Sequence, residues 1–164
     1  MILKNKRLLL FVGLLFVAGL LITYFWQESY DVKDVNENIQ VRDIQLLMDV
    51  QQVEQLIGYK GVISECIHGY NYTYEELKLE IGFRATDDRV RRLTWNYEQD
   101  YSAYQMNTGI AVEEARMALL DQYLLKQAEY SAYTFFKGDV AVTLLSDDGV
   151  NVRGFNLELR DTNK

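Results

Sequence analysis

Asp87-Asp88-Arg89-Val90-Arg91-Arg92-Leu93-Thr94-Trp95-Asn96-Tyr97-Glu98 returns sixty positions later as Asp147-Asp148-Gly149-Val150-Asn151-Val152-Arg153-Gly154-Phe155-Asn156-Leu157-Glu158. The chain thus reads as a tandem repeat. A period near sixty is too long for a solenoid unit and too short for a large domain, which points to two small modules built alike. In this alignment Trp95 and Phe155 occupy one position, and both are expected to anchor a core. Upstream, Asp49-Val50-Gln51-Gln52-Val53-Glu54-Gln55-Leu56-Ile57 matches Ala111-Val112-Glu113-Glu114-Ala115-Arg116-Met117-Ala118-Leu119 at an offset of 62. Both predict short helices. Asp49 followed three residues later by Gln52 is a capping-box pattern, and Leu46, Val50, Val53 and Ile57 fall on one helical face. Val112, Ala115 and Leu119 repeat that face, although Ala111 is a poor N-cap.

After each helix, aromatic and branched residues alternate with polar ones, which predicts strands. Tyr70, Tyr72 and Tyr74 are followed by Leu77, Leu79, Ile81 and Phe83; the second copy answers with Tyr133 and Phe135, then Val140, Val142 and Leu144. Lys137-Gly138-Asp139 and Asp147-Asp148-Gly149 supply turns, because glycine accepts positive φ without steric cost. Leu93, Trp95 and Tyr97 share one parity while Val90 has the other, and Phe155, Leu157 and Leu159 stand likewise against Val150 and Val152. That shared change of phase predicts a β-bulge in both copies. The chain contains no proline to veto a strand or helix. The expected fold class is α+β: two tandem modules, each of short helices packed on a three- or four-stranded antiparallel sheet.

Ahead of the repeats, Leu8 to Trp26 is an apolar run without a charge. Its length matches the roughly 30 Å hydrocarbon core of a bilayer, and its aromatic end lacks the small-x-small site of a cleaved signal. It reads as a transmembrane signal anchor. Lys4, Lys6 and Arg7 precede it while Glu28, Asp31 and Asp34 follow it, so the positive-inside rule puts the N-terminus in the cytoplasm. The expected organisation is a cytoplasmic tail (1–7), the span (8–26), a juxtamembrane linker (27–38) and two repeats (39–100 and 101–164). The localisation that follows is a single-pass protein of the cell membrane with its C-terminal domain extracytoplasmic.

Residues 27–164 carry all 24 acidic side chains but only 14 of the 17 basic ones, a formal charge of −10. That argues against nucleic acid as a partner, since phosphate binding needs a basic surface. One cysteine excludes an intramolecular disulfide, so packing alone must hold the fold.

Val53-Glu54-Gln55-Leu56-Ile57-Gly58, Tyr72, Leu79-Glu80-Ile81-Gly82-Phe83 and Asp87-Asp88-Arg89-Val90 together form a pattern of helix, glycine, tyrosine-rich strand, apolar strand and Asp-Asp hairpin. The pattern resembles the N-terminal CAP-associated domain of bacterial surface proteins. It is also similar to the tandem modules of β-lactamase-inhibitor proteins and to the SmpA/OmlA outer-membrane lipoproteins. The resemblance covers roughly Ile39 to Arg160 and implies a binding or scaffold element.

Cys66 and His68 are the sole cysteine and histidine, and two residues apart on a strand they face one side. A nucleophile and its base normally meet from separate elements, so a buried cysteine beside an incidental histidine is the expected reading. Two N or S ligands are too few for structural zinc, and neither metal nor cofactor is expected. Asp87-Asp88 and Asp147-Asp148 recur beside a turn, which fits turn chemistry better than catalysis. Tyr70, Tyr72 and Tyr74 could make an aromatic platform, but their counterparts favour core packing. Arg84, Arg89, Arg91 and Arg92 have no basic counterpart in Leu145 to Val152, and features present in one copy are free to serve function. They are the candidate binding residues. The expected function is a membrane-anchored, non-catalytic binding or scaffold protein of the bacterial envelope, whose partners are the membrane and an envelope protein or wall component. The alternatives are an envelope regulator, an enzyme inhibitor or, last, an enzyme using Cys66 and His68.

Overall fold

The computed structural model describes residues 31–129 and 131–160. After helix α1 (residues 31–37) come β1 (Ile39–Gln40), α2 (Val50–Ile57), β2 (Val62–Cys66), β3 (Gly69–Tyr74), β4 (Leu79–Arg84) and β5 (Val90–Asn96). A second series follows: β6 (Ser102–Ala103), β7 (Met106–Asn107), α3 (Val112–Leu120), β8 (Leu124–Glu129), β9 (Ala132–Lys137), β10 (Val140–Leu145) and β11 (Gly154–Leu159). Strands β2 to β5 form one antiparallel meander and β8 to β11 another. They join edge to edge through β5 and β11 into a single eight-stranded sheet, in the order β2-β3-β4-β5-β11-β10-β9-β8. A second, three-stranded sheet has the order β1-β6-β7.

Cross-strand neighbours show which side chains share the core. Tyr72 lies opposite Ile81, Ile81 opposite Leu93, Leu93 opposite Leu157, Leu157 opposite Val142 and Val142 opposite Phe135. This row crosses both halves, and its members are all buried. The helices cover that face. Val53 and Ile57 of α2 and Val112, Ala115 and Leu119 of α3 join the same cluster, while Glu54 accepts a hydrogen bond from the Tyr72 hydroxyl at 3.0 Å. The outcome is two layers, helices on one face of a sheet.

Local chemistry starts and stops α2 as expected. Asp49 accepts from the Gln51 amide at 2.8 Å, Gln52 reaches back to the Asp49 amide, and Gly58 ends the helix at φ 88°. Ala111 gives α3 no side-chain cap.

Two expectations need correction. Strand makes up 43% and helix 22%, so the fold is mainly β rather than α+β, and the two copies share one sheet instead of owning one each. Second, Trp95 and Phe155 are not equivalent: they lie opposite one another across the β5·β11 seam, their rings stacked 5.2 Å apart. The backbone bonds that tie Val90 to Leu47 and Met48 recur at Val152 with Gly109 and Ile110, an offset of 62; carried along the two strands, it puts Leu157 in the place of Trp95 and Phe155 in that of Leu93. Around the helices the offset is also 62, as the bridges Asp49 to Arg89 and Ala111 to Asn151 show. The expected bulge is present in both copies. Gly82 faces Arg92 and Phe83 faces Val90, leaving Arg91 extra; in the second copy Leu145 faces Gly154 while its carbonyl also accepts from the Arg153 amide at 2.8 Å, at the entry to β11.

The expected span, Leu8 to Trp26, lies outside the described residues. Among those described, no helix is long and apolar enough to cross a membrane. The structure therefore gives no support to the transmembrane helix, the signal anchor, the membrane as partner or the cell-membrane localisation with an extracytoplasmic domain. Part of the expected linker is also structured, since residues 31–37 are helical and place Val32 and Val35 in the core.

Candidate functional site

Side chains of the opposite parity point away from the helices, to the outer face of the sheet. Across its middle run Thr73, Glu80, Thr94, Asn156, Thr143 and Thr134, a row of hydroxyl, amide and carboxylate groups. The Thr94 hydroxyl donates to Asn156 Oδ1 at 2.8 Å across the seam, and the hydroxyls of Thr134 and Thr143 are 3.1 Å apart. A neighbouring row contains Asn71, Gly82, Arg92 and Glu158. Most of these residues are half-buried by their sheet neighbours alone, as expected of a face that no further layer covers.

Three of the four candidate arginines sit on this face, held by carboxylates. Arg92 pairs with Glu80 and also donates to Asn71 Oδ1 at 3.2 Å; Arg91 pairs with Glu158. Both guanidiniums reach the face because the bulge turns Arg91 beside Arg92, opposite Gly82, where the glycine leaves room. Any Cβ on Gly82 would stand 3.1 Å from Arg92 Cβ and from Asn71 Oδ1. Arg84 makes a two-pronged pair with Asp87, at 3.0 and 2.7 Å. Arg89 is exposed in the hairpin. The structure thus brings Arg84, Arg91 and Arg92 together as a mosaic of paired charges rather than a positive spot. Reading one strand could not reveal the acidic partners, since Glu80 and Glu158 lie on its two neighbours.

Cys66 is exposed, not buried as expected: it ends β2, the sheet's edge, where no strand covers it. His68 is also exposed, in the two-residue turn between β2 and β3. The Asp doublets do shape turns. Asp148 accepts from the amides of Val150 and Asn151 at 2.8 and 2.9 Å, and those backbone bonds hold its carboxyl down at about 2. Asp147 takes the Tyr97 hydroxyl and lies 2.8 Å from Arg153 Nε. These groups line a cavity of about 260 Å³ with Thr108 and Val152, but both carboxylates already serve the loop. Tyr72 and Tyr74 are buried and Tyr70 half-buried, so the tyrosines pack the core; burial pushes the Tyr74 hydroxyl up to about 12.

One polar cluster had no sequence signal. The Tyr104 and Tyr123 hydroxyls bond each other, Tyr104 reaches Asp34 at 3.4 Å, and Lys137 lies 3.0 Å from Asp34. Burial raises the pKa of both tyrosines, Tyr123 to about 12, and that of Asp31 nearby. The cluster fastens α1 to the second half of the sheet. Its members come from four separate segments, which only the fold brings together.

No family model and no curated protein matches the chain. Among solved structures, it is similar to an extracellular protein containing a SCP domain from Bacillus anthracis str. Ames, with a TM-score of 0.54 and 9% identity over 71% of this chain. The chain covers 44% of that protein, so it spans less than half of its length. At this identity the likeness shows the fold alone.

Proposed function

We propose that this chain is a non-catalytic binding or scaffold module that engages a partner protein across the outer face of its eight-stranded sheet. The observation that carries the reading is the continuity of that face: eight strands at about 4.8 Å spacing make a surface roughly 38 Å wide. Its side chains are fixed in advance by cross-strand bonds such as Thr94 to Asn156 and Arg92 to Glu80. A preorganised surface loses less side-chain entropy on association. Interspersed opposite charges favour a partner protein with the complementary arrangement. The sequence resemblance to binding and scaffold modules points the same way.

The test is capture with the full chain as bait, followed by titration of the captured protein. Arg84→Gln/Arg92→Gln is expected to weaken binding at least about tenfold while leaving the melting temperature nearly unchanged, since each pair is half-exposed and worth about 0–1 kcal/mol. Gln51→Arg, on the exposed side of α2, is expected to bind as the wild type does. Loss of binding by Gln51→Arg alone would place the interface on the helical layer and end the outer-face reading.

A further inference from the structure

The two edges of the eight-stranded sheet are unlike. At one, β8 is broken by a register shift between Leu125 and Gln127 that leaves Lys126 out of the ladder. A bulge is a device that discourages a second chain from adding to an edge. At the other, β2 pairs with β3 without a shift from Val62 to Cys66, and all five residues are exposed. It carries neither lysine nor proline. Val62, Ile63 and Ile67 are 72%, 50% and 96% exposed.

We propose that β2 is the seam of a homodimer, in which β2 of a second copy adds antiparallel about Ser64 and joins the two sheets into one. This is independent of the outer-face reading. Cys66 and Gly69 close a two-residue turn and form a hydrogen-bonded pair, so by alternation the amides and carbonyls of Ile63 and Glu65 point out from the edge. Pairing about Ser64 sets Ile63 of each copy against Glu65 of the other, which joins those unpaired groups. It keeps the two Glu65 carboxylates from facing one another and brings Ile67 over Gly61 of the second copy. Charges also match. Lys60 lies over the Tyr72 ring at 5.5 Å, on the same face as Ile63, where Glu65 of the second copy arrives. The molecule already contains such a junction, because β5 and β11 join its own two meanders edge to edge.

The register gives a sharp test. It sets Val62 of each copy opposite Cys66 of the other in a pair without backbone hydrogen bonds, where Cα atoms stand about 4.5 Å apart, within disulfide reach. Inside one chain the two positions are about 13 Å apart along the strand and cannot bridge. Light scattering of the full-length chain should therefore give twice the chain mass, falling to the monomer in Ile63→Lys. Under mild oxidation Val62→Cys should convert to a covalent dimer on non-reducing gels, while the wild type and Val62→Cys/Cys66→Ser do not. A monomeric wild type, a Val62→Cys variant that fails to cross-link, or equal cross-linking in Val62→Cys/Cys66→Ser would overturn the proposal.

Discussion

Trp95 and Phe155 meet at the centre of the sheet, fully buried and stacked at 5.2 Å. Truncating either to Ala should cost about 3–5 kcal/mol in denaturant melts, as for other large buried aromatics. Because the rings touch, the double variant should lose less than the sum, by about 0.5–1.5 kcal/mol. Strict additivity would show that the rings do not pack together. The sequence identified both anchors but mistook partners for equivalents, for a physical reason: side chains in a strand alternate with period two. Offsets of 60 and 62 therefore bury the same face, and the hydrophobic pattern cannot tell them apart. Asp148 was easier to read, since an Asp-Asp-Gly turn offers an acceptor to the amides that follow. Its carboxyl falls from 3.8 to about 2. A depressed carboxyl stabilises the fold above about pH 4 and loses that contribution as pH falls toward 2. Asp148→Asn should melt lower than the wild type at pH 7, with the gap closing by pH 2. A gap independent of pH would mean that the loop does not hold the ionised form.

The capping box at Asp49 and the glycine at α2's end were legible because their chemistry is local. The turns at Arg42-Asp43 and Tyr104-Gln105 were not. All four residues have positive φ, and they repeat at the offset of 62, yet none is the glycine that marks such a turn in sequence. The bulge at Arg91 was legible from the change of parity, and so was its counterpart at Arg153, at the entry to β11. That entry depends on Gly154, where a Cβ would stand 2.2 Å from the Trp95 carbonyl oxygen. Gly154→Ala should thus push β11 away from β5 and cost about 1–3 kcal/mol or more, read from the midpoint of a denaturant melt. A change under about 0.5 kcal/mol would mean that the seam is looser than described.

For the whole molecule, the sequence disclosed the repeat, its strands and its helices, but not that two meanders would fuse into one sheet. Each copy looks self-sufficient in sequence because its own hairpins account for its own pattern. Pairing of β5 with β11 is a long-range contact, and nothing within either strand names the other as its neighbour. The candidate site was legible to the same degree: the arginines were found, and the carboxylates that hold them were not. The seam also makes the outer face continuous, so the binding proposal depends on it. Native-state hydrogen exchange tests it most directly. If one sheet spans both halves, the amides of Leu93, Trp95, Phe155 and Leu157 should exchange only through global unfolding and share one free energy, while those of the β2 edge exchange faster. Rapid exchange along β5 and β11 beneath protected β3, β4, β9 and β10 would show instead that the halves are separate units, and would contradict the account.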